Sequence, residues 1–340
     1  MKILFLCHYF HPRIGGVEKH VYKVAKELIK NKHTVTLITS RYDKSLPQKE
    51  IVDGIKIVRL SLGKGSWQKP GKTELWKQIL SRKKIFEEAD IVHCHDVFFW
   101  YLLLRFLLPF KPVYITFHGY EQQFPPSKKA IFIRKLSEKL AWGNICIGEY
   151  IEKWYGTQAT EVIYGASEIP EKTRNYTNKL SALYLGRIDA DNYVQTYCGA
   201  VELLKKHGIK LKVEFCGKGK LENIAEKYGR LLDAREDITT PLFRNRFAFV
   251  SSYLSILEAM AHKRFIFSVY GNALKRDYLV MSPFKSYVNI SSNAQELADQ
   301  IEFFIKSPEK EAEIVEKAYQ WVKTQNWEAL TDQYLKLWKH

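Results

Sequence analysis

The chain has no apolar stretch long enough to cross a bilayer. Its longest, Val97 to Phe110, is interrupted by Arg105, whereas a spanning helix needs about 20 apolar residues in succession. A basic leader followed by a cleavable apolar core is also missing. Met1-Lys2-Ile3-Leu4-Phe5-Leu6 reads as a first strand, so a cytoplasmic protein is expected. Cysteine is scarce: the five residues are odd in number and widely spaced, with no C-x-x-C pair. That pattern argues against a disulfide framework and a zinc site, and for free buried thiols in a reducing compartment. No G-x-G-x-x-G follows the first strand, which removes the dinucleotide fingerprint. No basic-aromatic module for nucleic acid is present either. Acids are in deficit, with 37 Asp/Glu against 53 Lys/Arg and a net charge of +16. The deficit is uneven: residues 1–165 hold 27 basic and 15 acidic residues (+12), and the rest hold 26 and 22 (+4). Anionic lipid, a polyanionic glycan and a merely solvated lysine-rich surface all suit such a first half.

What is there is a chain of 340 residues, 46% hydrophobic and 26% charged, long enough for about two domains with separate cores. Lys2 to Cys7 reads as a strand, His8 to Gly16 as a loop holding Gly15-Gly16, and Val17 to Ile29 as a helix with one apolar face. His33 to Thr39 follows as a second strand. This opens a doubly wound sheet, and the glycine pair allows backbone to approach a ligand at a helix start. Later strands, Asp90 to Asp96 and Pro112 to Gly119, deliver His93, His95 and His118 to their carboxyl ends, where open α/β sheets place ligands. No third ligand is spaced to join His93 and His95 around a metal. Pro125 to Trp142 reads as a basic amphipathic helix. It suits an anionic membrane surface or packs its apolar side inward, and the second arrangement is the one expected.

The most informative segment is Phe247 to Leu279. The apolar run Phe247 to Val250 predicts a strand, and Ser251-Ser252 offers N-cap hydroxyls. A helix with Leu254, Leu257 and Ala261 follows, then a second strand, Arg264 to Val269, ending at Gly271-Asn272. Free N–H groups at such a helix start favour phosphate, and a carboxylate one turn further in, Glu258, can take two hydrogen bonds from a ribose.

Leu257-Glu258-Ala259-Met260-Ala261 in this setting resembles the donor-site signature of the retaining GT-B glycosyltransferases, family 4 in particular. The resemblance implies two facing doubly wound, Rossmann-like domains with a deep cleft between them. Residues 1–168 would be the acceptor-side domain, 169–178 a linker and 179–323 the nucleotide-sugar domain. Residues 324–340 would form a helix crossing back to the first. It also implies transfer of a sugar from a UDP- or GDP-sugar to a glycan or lipid-linked acceptor, with retention, no metal and no other cofactor. Glu258 would bind the ribose, Arg187 of Leu185-Gly186-Arg187 would grip the diphosphate, and His118 would face the transferred sugar. Gly15, Gly16, Gly186, Gly217, Gly219, Ser252, Tyr253 and Leu254 would complete the donor site. His95 and Glu121 are acceptor candidates.

The chain departs from the family pattern in places. Val250 stands where a first Glu is usual, Ser251 and Tyr253 replace glycines, and no Lys follows Arg187 closely; Lys275 or Arg276 is expected to compensate. A degenerate chain serving an active partner is therefore the alternative. A peripheral place on the inner membrane face is the location that the basic first domain adds.

Overall fold

The computed structural model describes all residues except Ile14, 62–71, 120–122, 172–178, 234–237 and His340. The acceptor candidate Glu121 and most of the expected linker fall outside the described residues. The chain divides into two compact units, Met1–Ile163 with Trp327–His340, and Tyr164–Asn326.

Unit 1 begins with β1 (Lys2–Cys7), α1 (Gly16–Lys30), β2 (Thr34–Ser40), β3 (Lys49–Val52) and β4 (Ile55–Leu60). It continues through α2 (Lys72–Leu80), α3 (Lys83–Glu88), β5 (Ile91–His95), α4 (Phe98–Leu107), β6 (Val113–Phe117) and α5 (Lys128–Leu140). β7 (Gly143–Ile147), α6 (Tyr150–Tyr155) and β8 (Glu161–Ile163) end its first segment. The sheet order is β3-β4-β2-β1-β5-β6-β7-β8, parallel except for β3. Ile3 to Cys7 and all of β5, β6 and β7 are buried, the unbroken pattern of strands covered on both faces. β1 is where the winding reverses, so its carboxyl end and that of β5 form the switch point. α1 buries Val21, Val24, Ala25 and Leu28 together with His20, and stops where Lys32 takes a left-handed conformation (φ 62°).

Unit 2 holds β9 (Ser181–Leu185), α7 (Val194–Lys206), β10 (Lys212–Cys216), α8 (Glu222–Ala225), β11 (Gly229–Leu232) and α9 (Thr239–Arg244). Then come β12 (Phe247–Phe249), α10 (Tyr253–Ala261), β13 (Phe265–Val269), α11 (Ala273–Val280), β14 (Asn289–Ser291), α12 (Ala294–Ile305) and α13 (Pro308–Val322). All pairings in the order β11-β10-β9-β12-β13-β14 are parallel, and the switch point lies between β9 and β12. Phe247, Phe249, Phe265 and Phe267 interlock edge to face across β12 and β13. Beside them Arg246 is held by Glu311 through contacts of 2.6 to 3.1 Å, both side chains buried. The last helix, α14 (Trp327–Leu337), belongs to unit 1 and packs on α1.

Two local expectations are overturned. Ser252 occupies the N-cap position of α10 but makes no capping bond; its hydroxyl donates to Ser255 Oγ (3.0 Å), and Ser251 is buried against Tyr197 and Val269. Tyr278 Oη takes the Tyr253 N–H, so the first turn of α10 is met by a tyrosine at one N–H and by no serine. The second correction concerns α5, which runs only from Lys128 to Leu140 and does not turn its apolar side inward. Its buried side chains are Arg134 and Ser137. Arg134 lies 4.0 Å over the Tyr155 ring and 5.3 Å over Phe117, and it donates to the Gly119 carbonyl. Stacking and a backbone acceptor make the inner site fit for a guanidinium, so Phe132, Ile133 and Leu136 face outward.

Candidate functional site

In unit 2, the switch point opens a small hollow lined by Tyr184, Leu185, Gly186, Asn192, Ser251 and Ser252. The glycines there are dictated by close packing of loops. Gly186 N–H donates to Cys216 O (3.1 Å) and Ile188 N–H to Lys218 O (3.0 Å). A Cβ on Gly217 would stand 1.9 Å from Gly186 O, and one on Gly219 would stand 2.2 Å from Ile188 O. Both glycines therefore have a structural reason to be there whether or not a ligand approaches.

Arg187 projects from the loop after β9, half-exposed, and two carboxylates already claim its fork. Asp189 lies at 3.3 Å from one terminal nitrogen and Asp191 at 2.5 Å from the other. One positive and two negative groups thus occupy this turn, and an incoming diphosphate has to compete with the aspartates. Lys275 is buried, 4% exposed. Its Nζ donates to the Ser251 carbonyl and sits 4.0 Å over the Tyr278 ring. Burial lowers its pKa to about 7, opposed by the negative charge of Asp191. The structure thus puts the lysine behind the start of α10, on the carbonyl of a residue that lines the hollow.

The α10 start is itself partly occupied. Tyr253 N–H donates to Tyr278 Oη (2.7 Å), and the two rings stack at 3.9 Å. The N–H groups of Leu254 and Ser255, in the same first turn, have no acceptor within the helix. Glu258 lies one turn deeper, 9% exposed, and is not part of the lining; its carbonyl accepts from His262 Nδ1 (2.7 Å). The Tyr253–Tyr278 pair and Asn192 were not singled out from the sequence. A tyrosine where the resembled pattern has glycine was the one available signal.

In unit 1 the switch point carries a cluster of histidines. His118 Nε2 pairs with His95 Nδ1 (2.9 Å), and His118 N–H donates to Asp96 (3.0 Å). His20, from α1, meets the His118 ring edge-on at 4.8 Å and hydrogen-bonds Tyr334 of α14 (2.9 Å). Tyr334 joins Thr116 (3.0 Å), Thr116 joins His93 Nε2 (2.7 Å), and Trp338 donates its Nε1–H to His93 Nδ1 (3.0 Å). The indole can only donate, so His93 is neutral with its proton on Nε2. Burial lowers the pKa of His20 and of His93 to about 3. Burial and the neighbouring rings hold His95 and His118 well below the ordinary value too. The His95 Nε2 atom is buried with no hydrogen-bond partner among the described residues. His118 is thus an uncharged ring suited to hydrogen bonding. The roles of His20, Tyr334 and Trp338 were not foreseen, because α1 and α14 lie some 300 residues apart in sequence.

Gly15 precedes α1, and the Glu18 carboxylate folds back over it, where a Cβ on Gly15 would lie 2.3 Å from Glu18 Oε2. Burial raises the Glu18 pKa, partly offset by its own backbone N–H and by Arg13. The position that an anion would take at this helix start is held by a side chain of the protein. Gly16 is the first residue of α1. Among the described residues, no three His, Cys, Asp or Glu are placed to hold a metal ion, and all five cysteines are free and buried.

Comparison with known proteins adds three findings. The family described as Glycosyltransferase Family 4 matches residues 14–165, less than half of the chain. One subunit of the human phosphatidylinositol N-acetylglucosaminyltransferase is 30% identical over 99 residues, covering 28% of this chain and 20% of its own. The GDP-mannose:cellobiosyl-diphosphopolyprenol alpha-mannosyltransferase of Xanthomonas campestris is 30% identical over 151 residues, or 42% of this chain and 38% of its own. The matches thus span well under half of these relatives. Among solved structures, sucrose-phosphate synthase from Thermosynechococcus elongatus superimposes with a TM-score of 0.81 at 15% identity, over 99% of this chain and 98% of the other. That likeness carries the fold.

Proposed function

We propose that this chain, which has the fold of the GT-B proteins and matches Glycosyltransferase Family 4 over residues 14–165, transfers a sugar from a nucleoside-diphosphate sugar to a glycan or lipid-linked acceptor. The observation that carries the reading is the meeting, at the unit 2 switch point, of Leu185-Gly186, with Arg187 next in sequence, and Ser251-Ser252 at the start of α10. A diphosphate seated there would take hydrogen bonds from the Leu254 and Ser255 N–H groups and charge from Arg187. In the reaction, the bond from the anomeric carbon to the diphosphate breaks as the acceptor oxygen bonds to that carbon. The acceptor proton passes to the departing phosphate. Arg187 and the helix start stabilise the charge that develops on the leaving group, without a metal and, as the resemblance implies, with retention.

Glu258 holds the ribose in this scheme, and Lys275 supplies the second positive charge, gaining a proton as the diphosphate arrives. Gly186, Gly217, Gly219, Ser252 and Tyr253 shape the site. In unit 1, Gly15, Gly16 and His118 keep the roles implied by the resemblance, with His95 beside His118 on the acceptor side. The relatives named for phosphatidylinositol and for a diphosphopolyprenol support a lipid-linked acceptor, and a seat on an anionic membrane would bring the chain to it.

Titration calorimetry with UDP, GDP and ADP, with and without chelator, tests this reading. One nucleotide should bind irrespective of chelator. Arg187→Ala should weaken it by about tenfold to a hundredfold, the range for loss of a charge-assisted bond, and Glu258→Ala should also weaken it. Affinities unchanged in both variants would remove the site from unit 2. A second reading, a degenerate GT-B partner of an active transferase, is favoured by Val250, by the occupied Tyr253 N–H and by the aspartates on Arg187. Nucleotide binding without sugar transfer or donor hydrolysis would select it.

A further inference from the structure

The exposed apolar side chains of this protein are strongly localised. Among the described residues most of the large hydrophobic side chains left exposed, Phe106, Leu107, Phe110, Phe132, Ile133, Leu136 and Trp142, come from α4, α5 and the turns that follow them, with Met1, Ile51, Phe124 and Phe303 elsewhere. Phe110 is 89% exposed, Phe106 68% and Phe132 66%. They form one surface. Arg105 at the end of α4 donates to Leu140 O at the end of α5 (2.7 Å) and to Pro109 O in the turn that carries Phe110. Contiguous apolar surface of this kind marks an interaction site.

The cations of α5 say what the surface meets. At 100° per residue, Lys128, Lys129 and Lys139 fall on the same side of the helix as Phe132 and Leu136, and all three lysines are exposed. The only acid described in α5, Glu138, is turned towards Lys135 (3.4 Å) and the Gln158 N–H (3.1 Å). A protein groove would bury these lysines at a cost, whereas a bilayer boundary accommodates both kinds of group. There apolar rings enter the acyl region while lysine stems reach back to the headgroup phosphates. We infer that the outward face of α5, with the end of α4, docks on a membrane containing anionic lipid. The buried position of Arg134 belongs to the same arrangement, since it fixes the helix with its apolar side out.

Flotation of the full chain with vesicles of phosphatidylcholine, alone or mixed with phosphatidylglycerol, tests the inference. The chain should float with the mixed vesicles only. The variant Phe106→Ser/Phe110→Ser/Phe132→Ser should partition more than tenfold less, and Lys128→Ala/Lys129→Ala/Lys139→Ala should lose about fivefold per lysine. These side chains are exposed, so circular dichroism and melting of the variants should match the parent. Hydrogen exchange of the unmodified chain gives an independent measurement, with vesicles slowing exchange at 128–140. Failure to bind the mixed vesicles, or equal binding by the variants, would overturn the inference. So would a concentration-dependent dimer abolished by the phenylalanine variant, which would make the face a contact between copies.

Discussion

Tyr253 shows how one side chain changes what a helix start can do. Its N–H, free for a ligand by helix geometry alone, is taken by Tyr278 Oη within a stacked pair. Tyr278→Phe keeps the stack and removes the acceptor. The change should lower stability by about 1–3 kcal/mol, the cost of a buried donor left unpaired. It should also raise nucleoside-diphosphate affinity, because the released N–H joins those of Leu254 and Ser255. A melting curve and a titration on one sample measure both. Lower stability with weaker nucleotide binding would show that the tyrosine pair shapes the site instead of obstructing it. At this scale the sequence was informative about types and silent about pairings. Glu258 could be picked out from its place one turn inside a helix that follows a strand, and Arg187 from the resemblance of its Leu185-Gly186-Arg187 turn to the family pattern. The aspartates on Arg187 were visible as Asp189 and Asp191, but their approach to the guanidinium depends on how the turn closes.

Among the elements, α14 stands out because it completes the histidine cluster of unit 1. Tyr334 and Trp338 hydrogen-bond His20 and His93, and burial keeps both rings uncharged, each with a pKa near 3 against an ordinary 6.5. The unfolded chain takes up protons on these rings below about pH 6.5, and the folded unit refuses them until far lower pH. Their contribution is therefore complete above about 6.5 and is lost as pH falls from there towards 3. The loss runs at up to about 1.4 kcal/mol per pH unit for each histidine. Denaturant unfolding at neutral pH and at about pH 5 should show this loss, and His93→Gln should make the dependence shallower by one proton. A pH-independent midpoint would exclude the buried neutral state. The helices also mark where periodicity stops being sufficient. α5 has an apolar stripe and a basic residue on each side of it, so the pattern gives a helix without saying which side is inside. The ring faces of Phe117 and Tyr155, 17 residues upstream and 21 downstream of Arg134, decided that by receiving it.

Across the whole molecule, the order of strands and helices made the fold class readable. Apolar runs alternating with amphipathic stretches specify parallel α/β units, and the two sheets have that form. Each unit has its own switch point, and the proposed function assigns the nucleotide to unit 2. Hydrogen exchange with the binding nucleotide should therefore slow amides at the ends of β9, β10 and β12 and at the start of α10. The strands of unit 1 should exchange as before. Protection confined to unit 1 would transfer the nucleotide to the other sheet.

The division of unit 1 into two stretches of sequence has a consequence for synthesis. Unit 2 is continuous, from Tyr164 to Asn326, and is complete before α14 leaves the ribosome. Until then the eight-stranded sheet of unit 1 lacks Tyr334 and Trp338, the α14 groups that hydrogen-bond His20, Thr116 and His93. The part made first is the part finished last.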